Sequence, residues 1–331
     1  MTEQPPEDWM TDEGERDLFS VVVPTFNRVG TIIEALDSVK AQTYRPIEIL
    51  IADDGSTDGT EQAVAEWIRA NARPDFAVKY QWRENQGVCG ARNDALAVSS
   101  GEFVQFLDSD DLLYPERLEK LVHFFRAEGV DYIETGFEGF VDGDDDYEEV
   151  HLGHGESCQI SLLLRGRLWP NTLRPAFRRG LIRRIGPWRH GMPTFQDLDF
   201  VIRALTLDPL PRVGSIVESL ARARRSGDRM SDSFKTLEGR RLRVGCEELL
   251  VREVLGRAEF DDEDCVKLRA RCLTLALRSK AAGWGEVLGG LLEALSLLPQ
   301  PTPMKDRLKW LAIRSGRPVC WIVCRALKLA V

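Results

Sequence analysis

The sequence predicts an α/β fold: a largely parallel, doubly wound sheet with a C-terminal helical extension. Three observations carry that expectation. From residue 19 short apolar runs alternate with amphipathic helical stretches, two of the runs end in clustered aspartates, and beyond about residue 233 only helical periodicity remains. Strands alternating with helices at this spacing build βαβ units. Ligands of such sheets bind beyond the carboxyl ends of the strands, which is where both aspartate clusters fall.

Residues 1–17 are polar and acidic, include Pro5 and Pro6, and are expected to form a disordered lead-in. The run 19–24 predicts a buried strand. Over 31–42, Ile32, Ile33, Leu36 and Val39 share one helical face. Residues 47–52 predict a second strand. Asp58 then stands where it caps a helix, with Glu61 three residues on and Val64, Trp67 and Ile68 on the apolar face.

A third, less apolar strand is expected over 78–82, then a helix over 88–99 with Ala91, Ala95 and Leu96 inward. A fourth strand over 102–107, a helix over 116–128 and a fifth strand over 130–137 follow. The acidic stretch 141–149 reads as a solvated turn, because it lacks the glycine and terminal glutamate spacing of a calcium loop. Past residue 157 a helix, a strand near 173–177 and a second helix ending at Gly186-Pro187 lead into Thr194-Phe195-Gln196-Asp197-Leu198-Asp199. A boundary near 235 separates the 18–235 domain from a helical subdomain (236–303) and a tail (304–331).

Composition narrows the function classes. With 331 residues, 43% of them hydrophobic and 29% charged, the chain has the make-up of a globular protein. Its net charge of −9 argues against nucleic acid as a partner, which normally requires a basic face. The seven cysteines form no CxxC pair, and the opening residues lack the basic and apolar regions of a signal peptide, so reduced thiols and a cytoplasmic location are expected. The Walker and dinucleotide-type phosphate loops are absent, and no Ser/His/Asp arrangement is recognisable. The four histidines are scattered.

The aspartates supply the chemistry. Asp108-Ser109-Asp110 places alternate carboxylates on one side of a chain leaving an apolar strand. Bare aspartates repel a nucleotide diphosphate, so a divalent cation between them makes sense of the pattern. Mg²⁺ and Mn²⁺ take one or two carboxylates plus phosphate oxygens. Asp110 is then a metal ligand, with Asp108 at a second ligand position, a ribose hydroxyl or a bound water. Asp53 and Asp54, ending the second strand, are suited to accept hydrogen bonds from a nucleobase or ribose, or else to form an Asx-turn.

Four segments, in order, resemble the family 2 glycosyltransferases of the GT-A fold, including bacterial members that assemble polysaccharides and glycolipids. They are Ser20-Val21-Val22-Val23-Pro24-Thr25-Phe26-Asn27-Arg28, Ile51-Ala52-Asp53-Asp54-Gly55-Ser56-Thr57-Asp58-Gly59-Thr60, Glu84-Asn85-Gln86-Gly87-Val88-Cys89-Gly90-Ala91-Arg92-Asn93 and Phe106-Leu107-Asp108-Ser109-Asp110-Asp111. The resemblance covers about residues 18–235. It implies an inverting transfer from a nucleotide sugar, most simply a UDP-sugar, to a hydroxyl of a glycan, lipid-linked or protein-linked acceptor, with Mg²⁺ or Mn²⁺ as cofactor.

By the same resemblance Pro24, Thr25 and Phe26 line the base pocket, while Asp53 and Asp54 contact base or ribose. Arg92 lies near the nucleotide, Asp108 and Ser109 at the ribose, Asp110 at the metal-diphosphate, and Asp197 is the base for the acceptor. Gln196 departs from the commoner glutamate, and the late histidine of many relatives is missing. Arg224, Arg225 and Arg229, in a basic loop over 222–231, are the candidates to offset diphosphate charge in its place. The alternative to an enzyme is a catalytically silent GT-A-like scaffold. Residues 304–331 carry seven Lys/Arg and one Asp, a net +6, among Trp310, Trp321 and aliphatic residues. Such a tail is expected to contact the inner face of an anionic membrane peripherally, or to pack as a terminal helix pair.

Overall fold

The computed structural model describes residues 9–10, 14–151, 171–192 and 194–225, together with 241, 244–246, 270, 272–277, 280, 289, 292 and 295. The chain divides into two compact units, Met1–Ser157 with Pro170–Asp228, and Cys158–Trp169 with Arg229–Val331. In the second unit every described residue is helical, and Cys246, Cys272, Leu273, Ala276 and Leu277 are buried. The tail over 304–331, the helix expected after residue 157 and most of the subdomain over 236–303 lie outside the described residues. Among those described, no helix is long and apolar enough to cross a membrane.

The first unit is a nine-stranded sheet with helices on both faces. In chain order the elements are β1 (Glu15–Thr25), α1 (Ile32–Lys40), β2 (Ile47–Asp53), α2 (Thr60–Asn71), β3 (Phe76–Trp82), α3 (Val88–Val98), β4 (Gly101–Phe106) and β5 (Leu112–Leu113). They continue with α4 (Arg117–Glu128), β6 (Tyr132–Val141), β7 (Asp144–His151), β8 (Pro175–Arg178), α5 (Arg179–Ile185), α6 (Gln196–Leu205) and β9 (Val213–Arg224). The sheet order is β3-β2-β1-β4-β8-β6-β9-β5, with β7 paired to β6.

Strand alternation explains the two-sided core. Val21 and Val23 of β1, with Ile47, Ile49 and Ile51 of β2, face α1, α2 and α4 through Ile32, Leu36, Val39, Val64, Leu118 and Phe125. Val22, Leu50, Ala52, Val104 and Phe106 point the other way, onto Ala91, Ala95, Ile182, Ile185 and Phe200 of α3, α5 and α6. Each fully buried aliphatic side chain contributes roughly 1.5–3 kcal/mol of transfer free energy. All seven residues of β2 are buried, as expected of a strand covered on both faces.

Polar groups fix the two ends of the sheet differently. At the amino ends, buried Glu48 accepts hydrogen bonds from Ser20 Oγ (2.7 Å), Gly101 N–H (3.0 Å) and Lys79 Nζ (3.0 Å), tying β1, β2 and β4 together. Toward the other end lies Arg117, the largest fully buried side chain among the described residues. Its guanidinium donates to Gln105 Oε1 (2.7 Å), Thr135 Oγ1 (2.8 Å) and the carbonyl of Leu173 (2.8 Å). Burial, with Arg174 beside it, pushes its pKa down to about 9, so it remains a cation at neutral pH.

The sheet is largely parallel as expected, through β1–β2, β1–β4, β2–β3 and β6–β9, with shorter antiparallel pairings at β4–β8, β6–β8, β6–β7 and β5–β9. Other expectations need correction. The lead-in ends earlier than residue 17, since β1 starts at Glu15 and Met10 is buried in the second core cluster. The acidic stretch 141–149 is a hairpin, not a solvated turn. Asp144 pairs with Val141 across Asp142-Gly143, and Gly143 takes positive φ. The expected basic loop begins inside β9. The cap of α2 is Gly59, while Asp58 accepts the Thr60 N–H (3.0 Å) from one residue further out.

Replacing Arg117 by Met leaves Gln105 Oε1 buried without its donor and removes one donor each from Thr135 Oγ1 and the carbonyls of Leu173 and Arg174. Arg117→Met is expected to lower the free energy of unfolding by about 3 kcal/mol, read from urea denaturation midpoints at unchanged slope.

Candidate functional site

The carboxyl ends of β1, β2 and β4 converge because their registers match. Thr25 lies opposite Asp53, and Val22 opposite Phe106, so the residues after each strand share one edge. The loops there are stitched together. Asn27 N–H donates to Ser56 Oγ and Thr57 N–H returns to Asn27 Oδ1, both at 2.8 Å. Arg28 N–H reaches Thr60 Oγ1 at 3.0 Å. Asn27 itself sits at φ 52°, a conformation asparagine tolerates better than most residues.

Pro24 lies opposite Ala52, next to last in β1, and Thr25, which ends the strand, is buried with its Oγ1 lacking a hydrogen-bond partner among the described residues. Phe26 presents a ring 46% exposed. Asp53 is fully buried, accepting from Ser56 N–H (2.7 Å) and Tyr80 Oη (2.7 Å). It shapes the turn rather than facing the cleft. Asp54 accepts from Gln86 N–H (3.0 Å) and Gly87 N–H (2.8 Å), which orders the approach to α3.

On α3, Arg92 is buried and donates to Asp108 Oδ1 at 2.9 Å, its guanidinium 4.6 Å above the Trp188 ring. Asn93 and Trp188 exchange hydrogen bonds, side-chain N–H to carbonyl at 2.9 Å and backbone N–H to Oδ1 at 2.8 Å. Trp188 in turn stacks on Phe200 of α6 at 4.2 Å. Thr172 Oγ1 completes Asp108 at 2.8 Å. Ser109 is buried.

Asp110 is the least tightly held carboxylate of this turn. Its side chain is 31% exposed, and among the described residues the one ion pair it forms is with Arg28 Nη2, at 3.6 Å. Burial and then Asp108 raise its pKa, while Arg28 opposes them. Asp111 is driven well upward by burial, Asp108 and Asp110, although Arg224 N–H binds its Oδ1 at 2.9 Å. Three carboxylates so crowded favour a cation. Among the described residues no group of three or more His, Cys, Asp or Glu forms a ready metal cage. One open carboxylate beside a second fits Mg²⁺ or Mn²⁺ completed by phosphate oxygens.

Asp197 opens α6 on a separate element, in the second position of the helix after Phe195 at φ 61°. Burial lifts its pKa to about 6, against the Leu198 N–H and Arg92, with Asp108 adding to the rise. Arg92 and Asp108 thus lie within electrostatic reach of it. Asp199 is buried between Arg189 (2.6 Å) and Arg203 (2.9 Å) and fixes the helix.

The arginines expected to offset phosphate charge are already engaged. Arg224 donates to the carbonyl of Asp110 (3.0 Å), to Glu34 (2.6 Å) and to Asp142, and Arg225 pairs with Glu149. Arg229 lies outside the described residues. Residues not anticipated at the site are Arg28, Asn93, Asp111, Thr172 and Trp188. Three of them, Arg28, Asn93 and Asp111, stand within recognised segments, but their partners are distant in sequence.

The family model described as "Glycosyl transferase family 2" matches residues 20–185. A curated relative from Escherichia coli, UDP-Glc:alpha-D-GlcNAc-diphosphoundecaprenol beta-1,3-glucosyltransferase WfgD, is 34% identical over 122 residues, 37% of this chain and 46% of that protein. Across eight such relatives the match spans 16% to 53% of the relative's own length. Among solved structures, TarS 1-349 of S. aureus with UDP-GlcNAc gives a TM-score of 0.71 at 22% identity, over 94% of this chain and 91% of that one. The mannosyltransferase PcManGT of Pyrobaculum calidifontis, with GDP-Man and Mn²⁺, gives 0.54 at 20% identity, over 94% and 86%. Likeness at these identities shows a shared fold.

The raised pKa of Asp197 has a consequence for stability. Folding penalises its carboxylate, not its acid form. The penalty is absent below about pH 4, grows as pH rises toward 6 and is complete above it. Asp197→Asn is therefore expected to match the native protein in urea stability near pH 4 and to exceed it by on the order of 1–2 kcal/mol at pH 7.5.

Proposed function

The chain belongs to glycosyl transferase family 2 and has the GT-A fold, and on that premise we propose that it is an inverting glycosyltransferase using a UDP-sugar. The acceptor is a hydroxyl of a glycan, most simply one carried on a lipid, as the name of the E. coli relative gives for that protein. The observation that carries the reading is Asp197. It is a carboxyl on α6 with a pKa near 6, set beside the Arg92–Asp108 pair but not bonded to it. A binding scaffold has no use for such a group.

The roles follow from what each side chain has left to offer. The exposed Phe26 ring and the unpartnered Thr25 hydroxyl suit a nucleobase, and Pro24 shapes that loop. Asp54 and Asp108 have lone pairs beyond their present bonds for the nucleoside. Arg92 holds Asp108 in place. Asp110 is the residue to hold Mg²⁺ or Mn²⁺, with Asp108 beside it, and the bound ion would neutralise the leaving diphosphate. Asp197 accepts the acceptor's hydroxyl proton as its oxygen bonds to the anomeric carbon and the bond to diphosphate breaks on the opposite face. At neutral pH a group with pKa near 6 is ionised yet basic enough for this.

A screen of nucleotide sugars with Mn²⁺, following nucleotide release, tests the proposal. Asp197→Asn is expected to lower kcat by about 10²–10⁴-fold with little change in donor KM. Native kcat should fall as pH drops through 6. Asp110→Ala should lose donor binding as well. Full transfer by Asp197→Asn would remove the base assignment, and failure to bind any donor would favour a silent scaffold.

A further inference from the structure

We propose that Arg28 is a place-holder for the divalent cation at Asp110, and that it passes to the donor's diphosphate when the metal-bound donor enters. The inference rests on the reading of Asp110 as the metal carboxylate.

The argument begins with which partners are free to separate. Asp108 is held by two short bonds, from Arg92 and Thr172, and Asp111 by a backbone N–H. Among the described residues Asp110 has one side-chain partner, Arg28 at 3.6 Å, and that contact is shared with solvent: the two side chains are 31% and 47% exposed. Among the described residues Arg28 pairs with no other carboxylate. Arg92 and Arg224, by contrast, are buried in several contacts each and are not free to move. The main chain at Arg28 is fixed, because its N–H binds Thr60 Oγ1 and the next residue's N–H binds Asp58 Oδ2 at 3.1 Å. Only the side chain can swing.

Charge then sets the order of events. A divalent ion arriving alone at Asp110 meets a guanidinium on the same carboxylate, and the two cations repel. An ion arriving with a diphosphate brings anionic oxygens, and a guanidinium binds these through its planar fork. Arg28 thus opposes the free ion and favours the ion with its nucleotide. One residue acts with opposite sign on two ligands.

The test titrates Mn²⁺ alone, followed by electron paramagnetic resonance, and UDP at saturating Mn²⁺, followed by calorimetry. It compares the native protein with Arg28→Gln, Arg28→Lys and Asp110→Asn. Arg28→Gln is expected to bind free Mn²⁺ about two- to fivefold more tightly and UDP about tenfold more weakly, with Arg28→Lys near native in both. If Arg28→Gln leaves Mn²⁺ binding unchanged or weaker, or leaves UDP binding intact, the place-holder role is overturned. If Asp110→Asn binds Mn²⁺ as the native protein does, the metal assignment itself fails and the inference with it, a result distinct from the first.

Discussion

The guanidinium of Arg117 lies fully buried at the start of α4, and the groups it holds together come from three separate stretches of chain: Gln105 in β4, Thr135 in β6 and the carbonyls of Leu173 and Arg174 before β8. Burying a cation without partners costs more than the fold's whole margin of stability. Here every partner is a dipole rather than an opposite charge, and the nearest buried ion pair, Arg174 with Glu134 at 3.2 Å, is satisfied separately. The segment 171–174 is therefore drawn against β4 in one register. Thr172, in the middle of it, delivers its hydroxyl to Asp108. The functional edge inherits its geometry from a polar knot in the core.

That edge contains two kinds of acid. Asp53 and Asp199 have both oxygens occupied by N–H, hydroxyl or guanidinium donors and act on the shape of loops and helices. Asp110 and Asp197 are left comparatively unpaired, and both have carboxyls raised above the ordinary value. The division is physical: a filled carboxylate is a structural anchor, while an unfilled one retains the capacity to take a cation or a proton. Glu48, at the opposite end of the strands, belongs to the first kind, its hydrogen bonds holding its carboxyl below the ordinary value in spite of burial.

The parts of this fold that could be read from the chain are those with local periodicity. β1, β2, β4 and the helices α1 to α4 follow from apolar spacing, and the aspartates at 108 and 110 stand out because an apolar strand precedes them. β7 and β9 could not be read that way. β7 is an acidic strand whose partner is supplied by the preceding turn, and β9 mixes arginines with apolar residues because the sheet covers it unevenly, so both resemble loops. The site was legible as a set of chemical types but not as a set of bonds. Arg28 acquires its meaning from Asp110, 82 positions later, and Arg224, which reads as a phosphate ligand, is instead consumed by Asp110's carbonyl, Glu34 and Asp142. Tertiary pairing across such separations leaves no local trace.

The strap formed by Arg224 spans 114 residues back to Asp110, and this sets a schedule. During synthesis the strands up to β4 and the acidic turn emerge well before β9 does, and the early βαβ units can collapse as soon as they are out of the ribosome. The turn has no fixed carbonyl at Asp110 and no N–H on Asp111 until Arg224 arrives. A chain still lacking β9 thus holds the early βαβ units while the Asp110 carbonyl and the Asp111 carboxylate wait for the donors that Arg224 brings.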